Sequence, residues 1–316
     1  MTTRITTIDA QVAGEAVRLI VGGGPSVPGR SMAEKLAWLR KHGEVLRTLL
    51  MLEPRGHAGM HGALLTEPVS PSAHAGLLSM HAAGFPTLSG EGVIAAVTIA
   101  LEHKLIAAPG EELLLDTPAG AVRTTPRFKG DRVHSVSMIG VPSFVHTAGL
   151  PVAIGTRKVT VDVAFGGEFY AIADSEAVGI PIEMANASQL TRMGLDIKHA
   201  VESSINVAHP GDSTLKGIHG TIFTGAARTA ADVRSATVLD GQILRRSPGA
   251  TGTAALMAVL DAMGLLTEDH PFAHEGALGT VLHGKVLKRH HAGEVPTIVP
   301  VIEASASITG FHEFVV

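Results

Sequence analysis

SGEGVIAAVTIALEHKLI, residues 89–106, opens on a Gly-x-Gly turn, continues as an apolar helix-like run, and returns later as GATGTAALMAVLDAMGLL, residues 249–266. The match pairs Gly92 with Gly252, Ala95 with Ala255 and Leu105 with Leu265. Two further pairs keep the same order. IDAQVAGEAVRLIV (8–21) matches VDVAFGGEFYAIAD (161–174), and HGALLT (61–66) matches HGTIFT (219–224). The offsets of 153, 158 and 160 residues show that a whole arrangement, with small insertions, has been repeated. The repeat predicts an α/β (α+β) protein of two similar lobes related by a pseudo-two-fold, residues 1–150 and 151–300. Residues 301–316 are expected to pack back on the first lobe.

Between the matched pieces each half carries an amphipathic segment. Residues 31–50 place Leu36, Leu39, Val45, Leu46 and Leu49 on one face, and residues 188–207 do the same with Leu190, Met193, Ile197, Val201 and Ile205. Ser31 and Ser188 are the candidate N-caps. Strands are expected at 112–123, 132–139, 157–164, 235–244, 278–288 and 296–309, which are rich in Val, Ile, Leu and Thr between glycine, proline or polar clusters. Asp162 with Gly166 and Gly167 reads as a bend between strands.

The 316 residues are 45% hydrophobic and 17% charged, enough apolar material for a substantial core. The formal charge of −4 is spread without blocks, which points away from nucleic acid and anionic membranes and toward a small-molecule partner. The N-terminal MTTRITTIDAQVAGEAV lacks the basic-then-apolar pattern of a secretory signal, and no apolar run reaches the roughly 18 residues of a membrane span. A cytoplasmic monomer or homodimer is the expectation. There is no cysteine, so disulfides, thiolate metal sites and thiol nucleophiles are excluded.

A helix start preceded by a glycine turn offers unpaired N–H groups to a carboxylate or phosphate. Two such starts in related lobes are expected to face one cleft. Gly90–Ala95 also satisfies the dinucleotide pattern G-x-G-x-x-A, but GFPTLS before it contains proline and no apolar strand, which argues against nicotinamide or flavin. The 17 histidines include no HExxH, and glycines around His57 and His61 argue against one helical face, so no metal is expected.

IDAQVAGEAVRLIVGGGP, EPRGHAGMHGALLTEP, DTPAG, VPSF, DVAFGGEFYA, RSPGATGTAALMA and ITGFHEFVV together resemble the proline racemase family, which includes 4-hydroxyproline epimerases and trans-3-hydroxyproline dehydratases. The resemblance runs from about residue 6 to the end. It implies a cofactor-independent enzyme with two lobes of the diaminopimelate-epimerase type, each a curved mixed sheet around a central helix. In the family's racemases and epimerases, two cysteines, in Met-Cys-Gly-His and Asp-Arg-Ser-Pro-Cys-Gly-Thr-Gly blocks, act as bases on opposite faces of the substrate's α-carbon. Here those blocks read Leu88-Ser89-Gly90-Glu91 and Arg245-Arg246-Ser247-Pro248-Gly249-Ala250-Thr251-Gly252.

Removing an α-proton needs a base and amide donors for the carboxylate that takes up charge. The candidate donors are Gly90, Gly92, Gly249, Ala250, Thr251, Gly252 and Thr253, and His57 of the EPRGH block is a candidate cleft residue. An unassisted serine is almost never ionised near neutrality, so Ser89 needs help. Glu91 can itself be the base if burial raises its carboxyl, or can simply complement the helix dipole. Gly249 supplies no second base, which favours elimination over two-base racemisation. Arg245, where the family holds an aspartate against the ring nitrogen, repels an ammonium and attracts a second carboxylate if it faces the cleft. Otherwise it is a solvated arginine on a strand. The remaining expectation is a non-catalytic relative that binds a small carboxylate.

Overall fold

The computed structural model describes residues 4–107, 110–239, 243–267 and 270–315. The chain forms two compact units, Met1–Ile139 with Glu303–Val316, and Gly140–Ile302.

The first unit begins with a hairpin, β1 (Arg4–Val12) and β2 (Glu15–Gly22), and continues through helices α1 (Met32–His42) and α2 (Glu44–Met51). Strands β3 (Met60–Thr66) and β4 (Ala75–His81) precede helix α3 (Gly90–Glu102), and β5 (Leu113–Thr117), β6 (Gly120–Lys129) and β7 (Arg132–Ile139) follow it. β2 and β3 pair in parallel, as do β4 and β5, while the hairpin, β3/β4, β5/β6 and β6/β7 are antiparallel. The C-terminal segment Ala306–Val315 lies antiparallel to β1.

The second unit repeats this plan. After β8 (Ser143–Ile154) come the hairpin β9 (Arg157–Phe165) and β10 (Phe169–Asp174), the short α4 (Ser175–Val178) and α5 (Ala187–Ser204). A small hairpin, β11 (Ala208–His209) and β12 (Asp212–Lys216), leads into β13 (Gly220–Gly225), β14 (Val233–Leu239) and β15 (Ile243–Leu244). Helix α6 (Ala250–Ala262), β16 (Phe272–Glu275), β17 (Val281–Ala292) and β18 (Val295–Ala304) complete it, and the last strand of the chain is β19 (Ala306–Val315). β10/β13 and β14/β16 are the parallel pairs, in the places of β2/β3 and β4/β5. β8 pairs with β9 as β19 does with β1, and β18 returns to pair with β8. Each unit is thus a mixed sheet with two parallel crossovers, the first carrying α1 and α2 or α4 and α5 and the second carrying a single helix, α3 or α6.

That helix is the axis of each core. α3 contains Val93, Ile94, Val97, Thr98 and Ile99, a β-branched content poor for an isolated helix. Burial compensates. Every residue from Gly90 to Ala100 is buried, and α3 packs on β1, β2, β3, β6, β7 and β19. An all-round apolar helix is stable only when enclosed in this way. α6 is buried over most of its length and packs on β8, β9, β10 and β17. On the other sheet face α1 and α2 contribute Leu36, Leu39, Leu46 and Leu50 to a second layer, and α5 contributes Leu190, Ile197 and Val201.

Several expectations are corrected here. The boundary placed at 150 falls within β8, which pairs with β9 along most of its length, so the units divide after Ile139. The sequence hides β8 because Gly149 and Pro151 interrupt it; the ladder absorbs Gly149 in the register shifts between Val145 and Leu150 and keeps Pro151 in regular register opposite Thr160. The helix expected at 31–50 is two helices, since Gly43 ends α1 and begins α2. The restart changes the helical phase and leaves Val45 72% exposed. Ser31 caps α1 through Glu34 N–H, whereas Ser188 lies inside α5, whose N-cap is Asn186. The segments 112–123 and 296–309 each span two strands, β5/β6 and β18/β19. Residues 240–242 of the segment 235–244 lie outside the described residues.

Candidate active site

In the first unit the site residues lie at the start of α3. Ser89 has extended backbone (φ −131°, ψ 115°), and its Oγ accepts the Gly92 N–H at 3.1 Å, a side-chain N-cap. A β-carbon at residue 92 would lie 3.1 Å from Ser89 Cβ and Oγ, so glycine lets this cap close. Glu91 follows in the first turn, where its carboxylate complements the positive end of the helix. Ser89 and Glu91 are only 7% and 3% exposed. Gly90 begins the helix between them.

The start of α6 is built differently. Its N-cap, Gly249, has φ 80° and ψ 130°, a left-handed conformation open to glycine, and makes no side-chain cap. Ser247 Oγ accepts the Gly249 N–H at 3.0 Å, and Thr253 donates both its N–H and its hydroxyl to Gly249 O, each at 2.7 Å. Tyr170 Oη and Thr251 Oγ1 are 2.7 Å apart, tying the first turn to β10. The backbone N–H groups of Ala250, Thr251 and Gly252 have no acceptor among the described residues, although Ala250 and Gly252 are buried. Three successive donors thus stand at the positive end of a 13-residue helix, an arrangement chemically suited to a small anionic oxygen group.

The other expected residues fall nearby in sequence but on different elements. Arg245 directly follows β15, donates its N–H to Thr237 O at 2.7 Å, and is 8% exposed, so the alternative of a solvated arginine does not hold. His57 is half-buried on the loop before β3, with Nδ1 accepting Gly59 N–H at 3.2 Å. Ser89, Gly90, Glu91, Gly92 and His57 belong to the first unit; Arg245 and Gly249 to Thr253 belong to the second. Among the described residues no group of three or more His, Cys, Asp or Glu is placed to hold a metal ion. No described helix is long and apolar enough to cross a membrane.

The bend between β9 and β10 also shapes this region. A β-carbon on Gly166 would stand 2.3 Å from both Thr251 O and Ala255 N, so the bend can touch α6 only because residue 166 is glycine. Asp162 has a different task from the bend expected of it: Oδ1 accepts Gly149 N–H at 2.8 Å and braces the irregular part of β8.

Two carboxylates with equivalent duties escaped the sequence reading. Gly76 of β4 pairs with Asp116 of β5, and Arg234 of β14 pairs with Glu275 of β16, which makes Asp116 and Glu275 counterparts. Asp116 accepts from Val69 N, Ser70 N and Ser70 Oγ at 2.8, 2.7 and 2.8 Å. Glu275 accepts from Arg228 N, Thr229 N and Thr229 Oγ1 at 2.8, 2.9 and 3.0 Å. Each holds the loop that follows β3 or β13. Burial opposes ionisation of both, but these donors prevail and hold both carboxyls below the usual range, with help from Lys35 and Arg234 respectively. Asp and Glu at matched sites obscure the correspondence in the sequence.

Residues 7–316 match the family model described as proline racemase. The chain is 41% identical to a trans-3-hydroxy-L-proline dehydratase of Bacillus cereus, covering 98% of this chain and 94% of that one. It is 34% identical to a proline racemase of Clostridioides difficile, with 99% and 94% covered. Among solved structures, a hydroxyproline epimerase from Agrobacterium vitis with bound trans-4-hydroxy-L-proline superposes with a TM-score of 0.90 at 28% identity, covering 99% and 93% of the two chains.

Proposed function

Because the chain belongs to the proline racemase family, we propose that it acts without a cofactor at the α-carbon of proline, hydroxyproline or a related small carboxylate, by elimination rather than two-base racemisation. The observation that carries this reading is Gly249, which has no side chain and holds a backbone conformation that a side-chain-bearing residue rarely adopts. A base on that face of an α-carbon has nowhere to reside.

In the proposed reaction the amides of Ala250, Thr251 and Gly252 take the substrate carboxylate and the charge it acquires. Ser89 and Glu91 are the proton-transfer residues at the other helix start, Glu91 accepting the α-proton. The β-hydroxyl then leaves as water, taking the proton that Glu91 had accepted, and the resulting enamine tautomerises to the cyclic ketimine. Gly90, Gly92 and Thr253 keep the two turns in shape and His57 borders the substrate; Arg245, if it faces the cleft, attracts a second carboxylate on the ligand. The relative named trans-3-hydroxy-L-proline dehydratase supports elimination as the class of reaction. The test is incubation with trans-3-hydroxy-L-proline in heavy water. Ketimine formation, or α-deuterium in recovered proline analogues, is the expected result, and the absence of both across a panel of imino acids overturns the reading.

A second reading rests on Ser89. Its Oγ already accepts the Gly92 N–H, and the chain holds no cysteine. A non-catalytic binder of small carboxylates accounts for both facts, and it predicts thermal stabilisation by imino acids, hydroxy acids or dicarboxylates with no α-exchange.

A further inference from the structure

The two units differ sharply beneath their matched helix starts. In the first, Val93 of α3 and Leu115 of β5 are both apolar and fully buried. The corresponding positions of the second are Thr253 of α6 and His274 of β16, equally buried at 0% exposure, with Thr253 Oγ1 and His274 Nδ1 2.9 Å apart. The correspondence follows from the α3/α6 sequence match and from the register of β4/β5 and β14/β16. A polar pair in the core costs desolvation that the two apolar residues avoid.

Proton counting fixes its arrangement. Thr253 has one hydroxyl hydrogen, and Gly249 O, which can only accept, lies 2.7 Å from Thr253 Oγ1. That hydrogen is committed to Gly249, so His274 Nδ1 must be the donor to Thr253. Nε2 is then the unprotonated nitrogen, and it has no partner among the described residues. Burial pushes His274 down to about 3, so the ring stays neutral in this arrangement.

We propose that His274 is a positioning residue: through Thr253 it locks the Gly249 carbonyl and so holds the first turn of α6 with the amides of Ala250, Thr251 and Gly252 open to a ligand. α3 needs no such device because Ser89 caps it directly, whereas Gly249 has no side chain with which to do so. The ligand assignment rests on the function proposed above; the positioning role does not.

His274→Leu and Thr253→Val, singly and together, copy the Leu115 and Val93 of the first unit, so the pocket shape is one this fold already accommodates. His274→Asn retains a donor near the Nδ1 position. Hydrogen exchange of the whole protein, read at the amides of residues 253–256, is expected to quicken roughly five- to tenfold in each single variant. The double variant is expected to be no faster than either single one, and His274→Asn to restore protection. With trans-3-hydroxy-L-proline as the probe, the ligand-induced rise in Tm is expected to shrink in the same variants and to recover in His274→Asn. Unchanged exchange at 253–256 in His274→Leu overturns the inference, as does an increase shared by residues 157–174, which marks a general loss of stability. If the wild-type protein responds to no carboxylate, the proposed function fails while the exchange measurement still decides the role of His274.

Discussion

Arg18 and Asp9 are register partners across the β1/β2 hairpin, with Arg18 Nη2 2.8 Å from Asp9 Oδ2 and Nε 3.0 Å from Oδ1. The same guanidinium donates from Nη1 to Leu50 O and Arg55 O, both at 2.7 Å, and lies over the Phe314 ring at 4.6 Å. One buried arginine therefore joins β1, β2, the end of α2, the loop that carries His57, and β19. Arg18→Met leaves Asp9 buried without its main partner and is expected to cost about 3–5 kcal/mol. Urea denaturation of the variant, with an unchanged slope and a lower midpoint, checks it.

Gly249→Cys restores the residue type of the family's racemases at the start of α6 but asks a side-chain-bearing residue to hold φ 80° and ψ 130°. The expected result is a loss of about 1–3 kcal/mol, without the appearance of proline racemisation. Circular dichroism melts and polarimetry on L-proline report the two outcomes.

Ser89→Ala removes the side-chain cap of α3 and is expected to lower stability by about 1 kcal/mol. Glu91→Gln keeps the shape of the turn but removes the proposed base. Its α-proton exchange is expected to fall by a factor of roughly 10²–10⁴, while thermal stabilisation by the same carboxylate persists. Undiminished exchange in Glu91→Gln removes the residue from the chemistry.

Gly166→Ala drives a methyl group into Thr251 O and Ala255 N, neither of which is a flexible side-chain end. A destabilisation of about 1–3 kcal/mol is expected, together with weaker ligand binding, since Thr251 belongs to the first turn of α6. Tm and ligand-induced Tm shifts measure both.

Acid sensitivity follows from Asp116 and Glu275, whose folded carboxyls lie below the usual range. A depressed folded value contributes stability that is fully present above the unfolded value of about 4 and is lost as pH falls through the folded value. Asp116→Asn and Glu275→Gln are therefore expected to be less stable than the wild type at pH 7, with the gap closing as the pH falls below about 4. A gap that stays constant with pH contradicts the assignment.

The duplication was legible because three matched segments preserved their order, and it carried the fold with it. The glycine-turn helix starts were legible for the same reason, but the Ser89 cap was not: that residue was read for chemistry, and only the structure shows its Oγ accepting the Gly92 N–H. What stayed hidden depended on contacts distant in sequence. Val45 left the buried face because Gly43 restarted the helix, which periodicity over 31–50 averages away. β8 was obscured by Gly149, which the ladder takes up in a shifted stretch, and by Pro151, which pairs in regular register with Thr160. His274 looked like one histidine among 17, and only its place under Thr253 distinguishes it.

β1 and β19 hold one another although about 300 residues separate them along the chain. The second unit is a contiguous stretch, Gly140–Ile302, while the first is assembled from both flanks of it. During synthesis the earliest-made half therefore cannot complete its sheet until residues 306–315 have left the ribosome, so the half made later is the first able to finish. Birth order and assembly order run in opposite directions, and the unit bearing Ser89 and Glu91 stays open-edged for longest.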